Sequence, residues 1–402
     1  QTERRIFGCA ALAMENSLLI VAPFLIALAA AALMHPCIVK IAKMKKIVDN
    51  PNARKLQKEP VPILGGVVVY FGIFFSVACT HGFADCSSLL VAFAAMMIML
   101  YTGTMDDILD LRPSTRFVVQ ILAVCLLIFV GHYGLDDLRG LWDIHALPPS
   151  EYIPLTIFAC VGIVNALNLI DGVDGLSSGY CIMASLIFGA VFTLNGTTRP
   201  MSILALATAG SLLPFFLHNV FGRRSKMFIG DGGTLLMGIT MSVFVMRVIQ
   251  SEGVSHLLDG RGYSSVAFTL AVLSIPVFDT LRVMSSRMLK GRSPFHPDKT
   301  HLHHLFIELG CSHIITTIII LTLNFLIVLA WMLAGHLGAS AEAQLYLVVG
   351  LALLFTTGIY GGFKLLQHRS PATFDRIVAL NLRLRPQRNG FFLTLQRWID
   401  KI

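Results

Sequence analysis

Four short stretches hold most of the side chains that could do chemistry. Asp106 and Asp107 stand just before Asp110, Arg112 and Arg116; Asn165 and Asn168 run into Asp171 and Asp174 within NALNLIDGVDGL; Asp231 sits in GDGG; and His301, His303 and His304 close SPFHPDKTHLHH. Carboxylates are hard oxygen donors that suit magnesium, which keeps several waters and takes only one or two protein oxygens beside substrate phosphates. The arginines and lysines nearby would then oppose phosphate oxygens. Phosphoryl transfer needs that combination, because its transition state is stabilised by positioning and by cations set against spread negative charge. No Walker loop or G-x-G-x-x-G pattern occurs, so an ATPase or dinucleotide reading has no support.

Taken singly, each stretch has a plainer reading. DGVDG and GDGG read as glycine-rich turns with Asp as helix cap, and Asp106-Asp107 as a solvated loop start. HLHH reads as a zinc site, although no cysteine lies near it. Asp279, inside an apolar stretch near Arg282, reads as half of a structural ion pair.

The elements that must position these residues are membrane spans. The 402 residues are 55% hydrophobic and 13% charged, with a mean hydropathy of +0.74, too apolar for one soluble core. Apolar runs of spanning length predict about eleven helices, near 17 to 40, 62 to 81, 87 to 105, 116 to 134, 152 to 170, 176 to 194, 201 to 221, 232 to 249, 265 to 286, 313 to 335 and 344 to 366. The fold class expected is an all-α polytopic integral membrane protein. Lys40, Lys43, Lys45, Lys46, Arg54, Lys55 and Lys58 crowd the first connection, and the next, His81 to Ser87, has neither Lys nor Arg. Positive residues stay inside, so the N-terminus is expected outside and the C-terminus in the cytoplasm. All four polar clusters then fall on the cytoplasmic side, which suggests one composite site.

Three parts follow. Residues 1–16 form an N-terminal tail that makes a poor signal peptide, because no small-residue cleavage site precedes the first span; residues 17–366 form the transmembrane catalytic unit; and 367–402 form a basic, interfacial tail. In that tail Phe391, Phe392, Leu395, Trp398, Ile399 and Ile402 share one side of a helix. The net charge of +8 sits beside spans and forms no arm interleaved with aromatics, so anionic lipids and phosphorylated substrates are expected as partners and nucleic acid is not. The eight scattered cysteines read as small packing residues.

These residues resemble the polyprenyl-phosphate N-acetylhexosamine-1-phosphate transferases. The matching stretches are VPILGG at 61–66, GTMDDILDLR at 103–112, NALNLIDGVDGL at 165–176, MFIGDGGTLLMG at 227–238 and SPFHPDKTHLHHL at 293–305. The HLHH form is more similar to the bacterial undecaprenyl-phosphate GlcNAc-1-phosphate transferases than to the related enzyme of peptidoglycan synthesis. The resemblance implies a bacterial inner-membrane enzyme that makes undecaprenyl-diphosphate-GlcNAc and UMP from UDP-GlcNAc and undecaprenyl phosphate, with magnesium as cofactor or manganese in its place. It implies Asn168 and Asp231 as metal ligands and Asp106, Asp107, Asp171 and Asp174 as catalytic carboxylates. Lys58, Arg116, Asn165, His301, His303 and His304 would bind substrate, and a homodimer is compatible with the family.

Other readings stay open. The same chemistry could use GalNAc, a diamino-sugar or MurNAc-pentapeptide, and either a single displacement or a covalent aspartyl-phosphate could carry it. A secondary transporter also has many spans and intramembrane polar groups, although its site usually lies near the bilayer midplane between repeats.

Overall fold

The computed structural model describes residues 2–49, 60–293, 299–383 and 390–400. In chain order, α1 (Thr2–Met44) is followed by a two-residue strand β1 (Val48–Asp49) that pairs antiparallel with β2 (Val61–Pro62), and then by α2 (Gly65–Thr80), α3 (Leu90–Leu109) and α4 (Pro113–Phe129). A small hairpin, β3 (Asp137–Leu141) and β4 (Ile144–Ala146), precedes α5 (Pro149–Leu169), α6 (Leu176–Asn195), α7 (Arg199–Phe221), α8 (Gly230–Gln250) and α9 (Glu252–Leu258). Then come α10 (Ser265–Val272), α11 (Ser274–Leu289), α12 (Leu302–Glu308), α13 (His313–His336), α14 (Ala341–Leu353), α15 (Ile359–Arg369), α16 (Pro371–Arg383) and α17 (Gly390–Ile399). Apart from the two small hairpins, the architecture is all-α.

Among the described residues, eight helices are long and apolar enough to cross a membrane: Ile20–Met44, Ser87–Leu109, Pro149–Leu169, Leu176–Asn195, Arg199–Phe221, Gly230–Gln250, His313–His336 and Ala341–Arg369. The chain is thus a polytopic helical membrane protein. The expectation of about eleven straight spans needs correction at three places. The stretches expected at 62 to 81 and 116 to 134 are α2 and α4, apolar helices of 16 and 17 residues. At about 1.5 Å per residue these fall short of a hydrocarbon layer of about 30 Å. Their length is set locally, since Val61–Pro62 is drawn into a strand before α2 can begin and Pro113 fixes the first turn of α4.

The third correction is the stretch at 265 to 286, which is the pair α10 and α11, bent by 72°. Pro276 has no N–H to give the carbonyl of Val272 four residues back. That carbonyl accepts instead from the Tyr180 hydroxyl at 2.5 Å and from Asn324 Nδ2 at 3.0 Å, while Asn324 Oδ1 takes the Ile275 N–H at 3.0 Å. A buried asparagine and tyrosine therefore complete the backbone bonding that the break leaves open, as a bilayer requires.

The helix α8 is the most enclosed, with 94% of its central stretch buried, against 22% for the Ala341–Arg369 span. It packs on α3, α5 and α2, while α1, α6 and α7 form an adjoining group. Close approaches rest on small residues and short hydroxyl bonds, the usual adhesive between helices in lipid. Ser76 Oγ donates to the Pro23 carbonyl at 2.6 Å, and Ser211 Oγ to that of Val69 at 2.7 Å. At Gly103 of α3, a Cβ would lie 2.4 Å from the backbone carbonyl of Asp231. Gly103→Ala should therefore cost about 1–3 kcal/mol by overpacking, whereas Gly162→Ala on α5, where a Cβ meets nothing within 4 Å, should be neutral or stabilising by about 0.5–1 kcal/mol. Thermal melting of the two variants in one detergent checks the opposite signs.

Candidate active site

The end of α3 builds the first wall. Asp110 closes the helix in the left-handed region (φ 53°), its N–H on the Asp106 carbonyl, and Arg112 is held extended ahead of Pro113. This turn lays the first coil of α4 back over α3 and sets the Arg116 guanidinium 2.6 Å from Asp106 Oδ2. The other Asp106 oxygen accepts the Leu111 N–H at 2.8 Å.

The second wall is the N-terminus of α8. MFIGDGG runs along VPILGG, with the Phe228 N–H on the Pro62 carbonyl and the N–H groups of Gly65 and Gly66 on the carbonyls of Phe228 and Ile229. Gly230 then turns with φ +70°, where a Cβ would meet Asp107 Oδ2 at 2.4 Å. The space so left lets Asp107 accept the N–H of Asp231 at 3.0 Å and that of Gly232 at 3.3 Å, a carboxyl cap on the N-terminal end of α8.

The two walls meet at Asn168, on the last turn of α5. Asn168 Nδ2 donates to Asp231 Oδ1 at 2.7 Å and to Thr234 Oγ1 at 2.8 Å, and its Oδ1 accepts from Arg116 at 3.0 Å. Arg116 also reaches Asp231 Oδ2 at 3.3 Å. Asp106, Asn168 and Asp231 thus aim one oxygen each at a single cationic centre. An all-oxygen set of this kind fits magnesium. Among the described residues no three His, Cys, Asp or Glu side chains gather closely enough to hold a metal by themselves, so an ion here would draw on Asn168 and on phosphate and water oxygens as well. Asn165, one turn below, is turned toward buried Gln120, whose Oε1 accepts from it at 2.7 Å.

The DGVDG loop joins α5 to α6 and treats its two aspartates differently. Asp174 accepts from Lys226 at 2.7 Å and lies 2.8 Å from His313 Nδ1. Burial alone would raise its pKa, but those two partners hold it below the ordinary carboxylate range. Asp171 is open to water yet has protein packed closely around it, and accepts from Ser177 Oγ. Burial pushes its pKa up to about 7, with Asp231 and Asp174 adding to the rise and the Ser177 bond opposing it.

The histidine motif reaches the same loop. A Cβ on Gly172 would lie 2.4 Å from His303 Nε2, so the glycine lets the imidazole abut DGVDG. His301 and His303 are buried and stack in parallel at 5.7 Å, with His304 4.2 Å beyond. Burial, together with His304 and His301, holds His303 well below the usual histidine range, so it is neutral. The Nε2 atoms of His301 and His303 have no hydrogen-bond partner among the described residues. His301 Nδ1 lies 2.9 Å from Asp279 Oδ2. Asp279 does form the expected ion pair with Arg282, at 2.7 Å, and it orients His301 too.

The structure therefore brings together Asp106, Asp107, Arg116, Asn168 and Asp231, with Asn165 adjoining, and places Asp171, Asp174, His301 and His303 around DGVDG. Lys58 lies outside the described residues. Sequence reading missed Gln120, Ser177, Thr234, Lys226 as a partner of Asp174, and His313. No local pattern marks them, since the Asp174 and His313 positions are 139 residues apart.

Known proteins bear on this geometry. A model of Glycosyl transferase family 4 matches residues 89–249. The chain is 30% identical over 358 residues to the undecaprenyl-phosphate alpha-N-acetylglucosaminyl 1-phosphate transferase of Escherichia coli (strain K12), covering 87% of this chain and 92% of that protein. It is 32% identical over 276 residues to the protein of that name from Salmonella typhi, covering 67% and 72%. With a probable undecaprenyl-phosphate N-acetylglucosaminyl 1-phosphate transferase of Bacillus subtilis (strain 168) it shares 28% over 313 residues, covering 78% and 84%.

The raised pKa of Asp171 sets a pH dependence. A carboxyl whose folded pKa exceeds its unfolded value favours folding when protonated, so stability is lost as pH climbs from about 4 through about 7. Asp171→Asn keeps an oxygen for Ser177 and removes this loss. In metal-free buffer, the melting temperature of the variant minus that of the parent should grow between pH 4 and pH 7 and level off above. A difference that stays flat across that range refutes the assignment.

Proposed function

The chain belongs to Glycosyl transferase family 4 as a sugar-phosphate transferase, and from that premise we propose that it transfers N-acetylglucosamine-1-phosphate from UDP-GlcNAc to undecaprenyl phosphate, giving undecaprenyl-diphosphate-GlcNAc and UMP. The observation that carries this reading is the likeness to enzymes of that name over 87% of the chain, spanning all the residues that converge on Arg116. The fine topology belongs to the same proposal. It puts the N-terminus outside and the site at the cytoplasmic face of a bacterial inner membrane, in keeping with the Lys and Arg of the first connection.

Asn168 and Asp231 would hold magnesium, which neutralises diphosphate charge when bound. The protein's own part is mostly positioning. Asp107 fixes the GDGG turn, and through it Asp231. Arg116, set between Asp106, Asn168 and Asp231, is a cation placed to exchange one of those partners for a phosphate oxygen. The Nε2 atoms of His301 and His303, without a hydrogen-bond partner among the described residues, keep bonding capacity for a donor substrate beside DGVDG. Asp171 has a proton affinity near neutrality and is open to water, so it can orient or deprotonate the acceptor phosphate. That phosphate, with a second pKa of about 6, is already largely dianionic at neutral pH.

The acceptor oxygen then attacks the β-phosphorus and UMP departs. A single displacement is the simpler course because the acceptor phosphate, already largely dianionic, is itself a competent nucleophile, while both oxygens of Asp106 and both of Asp107 are engaged in hydrogen bonds. A donor chiral at the β-phosphorus should accordingly give inverted product; retention would refute the single step.

Purified protein with magnesium and undecaprenyl phosphate should release UMP from UDP-GlcNAc in preference to UDP-GalNAc or UDP-MurNAc-pentapeptide. Asp231→Asn should reduce the rate by about 100-fold or more, the loss typical of removing one charge-stabilising group. Preference for another donor would replace the sugar while keeping the chemistry, and no UMP from any donor would overturn the reading.

A further inference from the structure

Residues 222–229 connect α7 to α8, and their first part is gripped from two sides. On one side, Lys43 donates to the Arg224 carbonyl at 2.6 Å, His35 Nε2 lies 2.8 Å from the Ser225 carbonyl, and His218 Nδ1 lies 2.9 Å from Ser225 Oγ. On the other side stands a single atom, Asp400 Oδ1. It accepts the consecutive backbone N–H groups of Arg223, Arg224 and Ser225 at 2.9, 2.9 and 3.1 Å, and the Ser225 hydroxyl at 3.0 Å.

Successive N–H groups that point at one spot form an anion-binding concavity. Here the chain fills it with a carboxylate from its own far end, 175 residues away in sequence from Ser225. The helix that carries Asp400 is docked, with Ile399 buried and Phe392 against Phe221 at 5.3 Å. Immediately beyond the concavity, Lys226 reaches Asp174, and the Phe228 N–H reaches Pro62 ahead of the GDGG turn.

We propose that Asp400 is a positioning residue for the transfer reaction: by holding the N–H groups of 223–225 it sets Lys226 against Asp174 and fixes the approach to Asp231, so the C-terminal helix is part of the working site. This role rests on the reading of that site given above. Burial tends to raise the Asp400 pKa, but the three backbone donors and the Ser225 hydroxyl outweigh it and leave the carboxyl below its ordinary range, ionised at neutral pH. The contact comes from the backbone of Arg223 and Arg224, so the side chains of those two arginines are dispensable to it.

The test uses the full chain with Asp400→Ala, Asp400→Asn and Arg224→Ala. Amide hydrogen exchange over 223–226 is measured by mass spectrometry, beside kcat, KM for the nucleotide-sugar, the magnesium concentration giving half-maximal rate, and the melting temperature. In Asp400→Ala the amides should exchange at least about 10-fold faster, kcat should fall about 5- to 20-fold with KM changed less than about 3-fold, and the magnesium requirement should rise with an unchanged melting temperature. Asp400→Asn, which still offers an oxygen, should fall between, and Arg224→Ala should match the parent. Unchanged exchange in Asp400→Ala would overturn the contact. Faster exchange with unaltered kcat, or a rate loss matched by lost stability, would reduce Asp400 to an anchor for a surface helix. Exchange reads the contact whether or not the parent turns over UDP-GlcNAc, so a failure of the reaction assignment, seen as no UMP from the parent, is distinct from a failure of this inference.

Discussion

The first turn of α8 is the constraint on which the rest depends. A helix enclosed on nearly every side must satisfy the N–H groups of its first turn without bulk water. Asp107 does this for Asp231 and Gly232, and it can reach them only because Gly103, Gly230 and Gly232 carry no side chain where the backbones of α3 and α8 cross. The cap requirement, the glycines and the placement of Asp231 are thus one arrangement. If α3 is moved away, the cap, the Arg116 centre and the register of VPILGG against MFIGDGG are lost together.

That arrangement concentrates negative charge, and the same bundle has to hold it. Asp106 and Asp231 share Arg116, Asp174 has Lys226 and His313, and Asp279 has Arg282 and His301. At Asp174 the two partners outweigh the burial that would otherwise raise its pKa. Asp171 has no cation beside it among the described residues and bonds to a serine hydroxyl, and burial moves its proton affinity toward neutrality. Unequal partnering within DGVDG thereby divides the work: Asp174 ties the loop to α13 and to the chain ahead of α8, and Asp171 keeps its chemical freedom.

Much of this was legible in the sequence because the signals are local. Apolar runs mark most of the helices, and the stretches that carry Asp231, Asn168 and Arg116, which the structure brings together, are short polar motifs at the ends of those runs. What the sequence did not show is long-range or geometric. The hydropathy of 62–81 and 116–134 is that of a span, yet strand pairing and a proline shorten both helices. The bend between α10 and α11 depends on Asn324 and Tyr180, which are distant in the chain, so its run reads as one continuous helix. Asp107, a catalytic carboxylate by the resemblance, also caps a helix through the N–H of Asp231, 124 residues further on, which no local pattern shows. Asp279 looks like half of an ion pair, and is, but its second oxygen faces His301. A carboxylate has two oxygens, and sequence reading accounts for one partner at a time.

Under the proposed reaction, the location of the centre follows from the substrates it would unite. A nucleotide-sugar is fully water-soluble and a polyprenyl phosphate is held in the bilayer, so their phosphates can meet only where a membrane protein ends. The ends of α3 and α5 and the starts of α4, α6 and α8 converge at that level. Beside Asp107 the apolar Ile108 and Leu109 are exposed, as are Phe117 and Val118 beside Arg116, so one rim presents lipid-compatible side chains next to ionised ones. A site at the bilayer midplane, as in a transporter, would have to desolvate both phosphates fully before they met. At the rim the donor stays wet and only the headgroup of the acceptor is drawn to the protein, which lowers the desolvation cost of bringing two anions together.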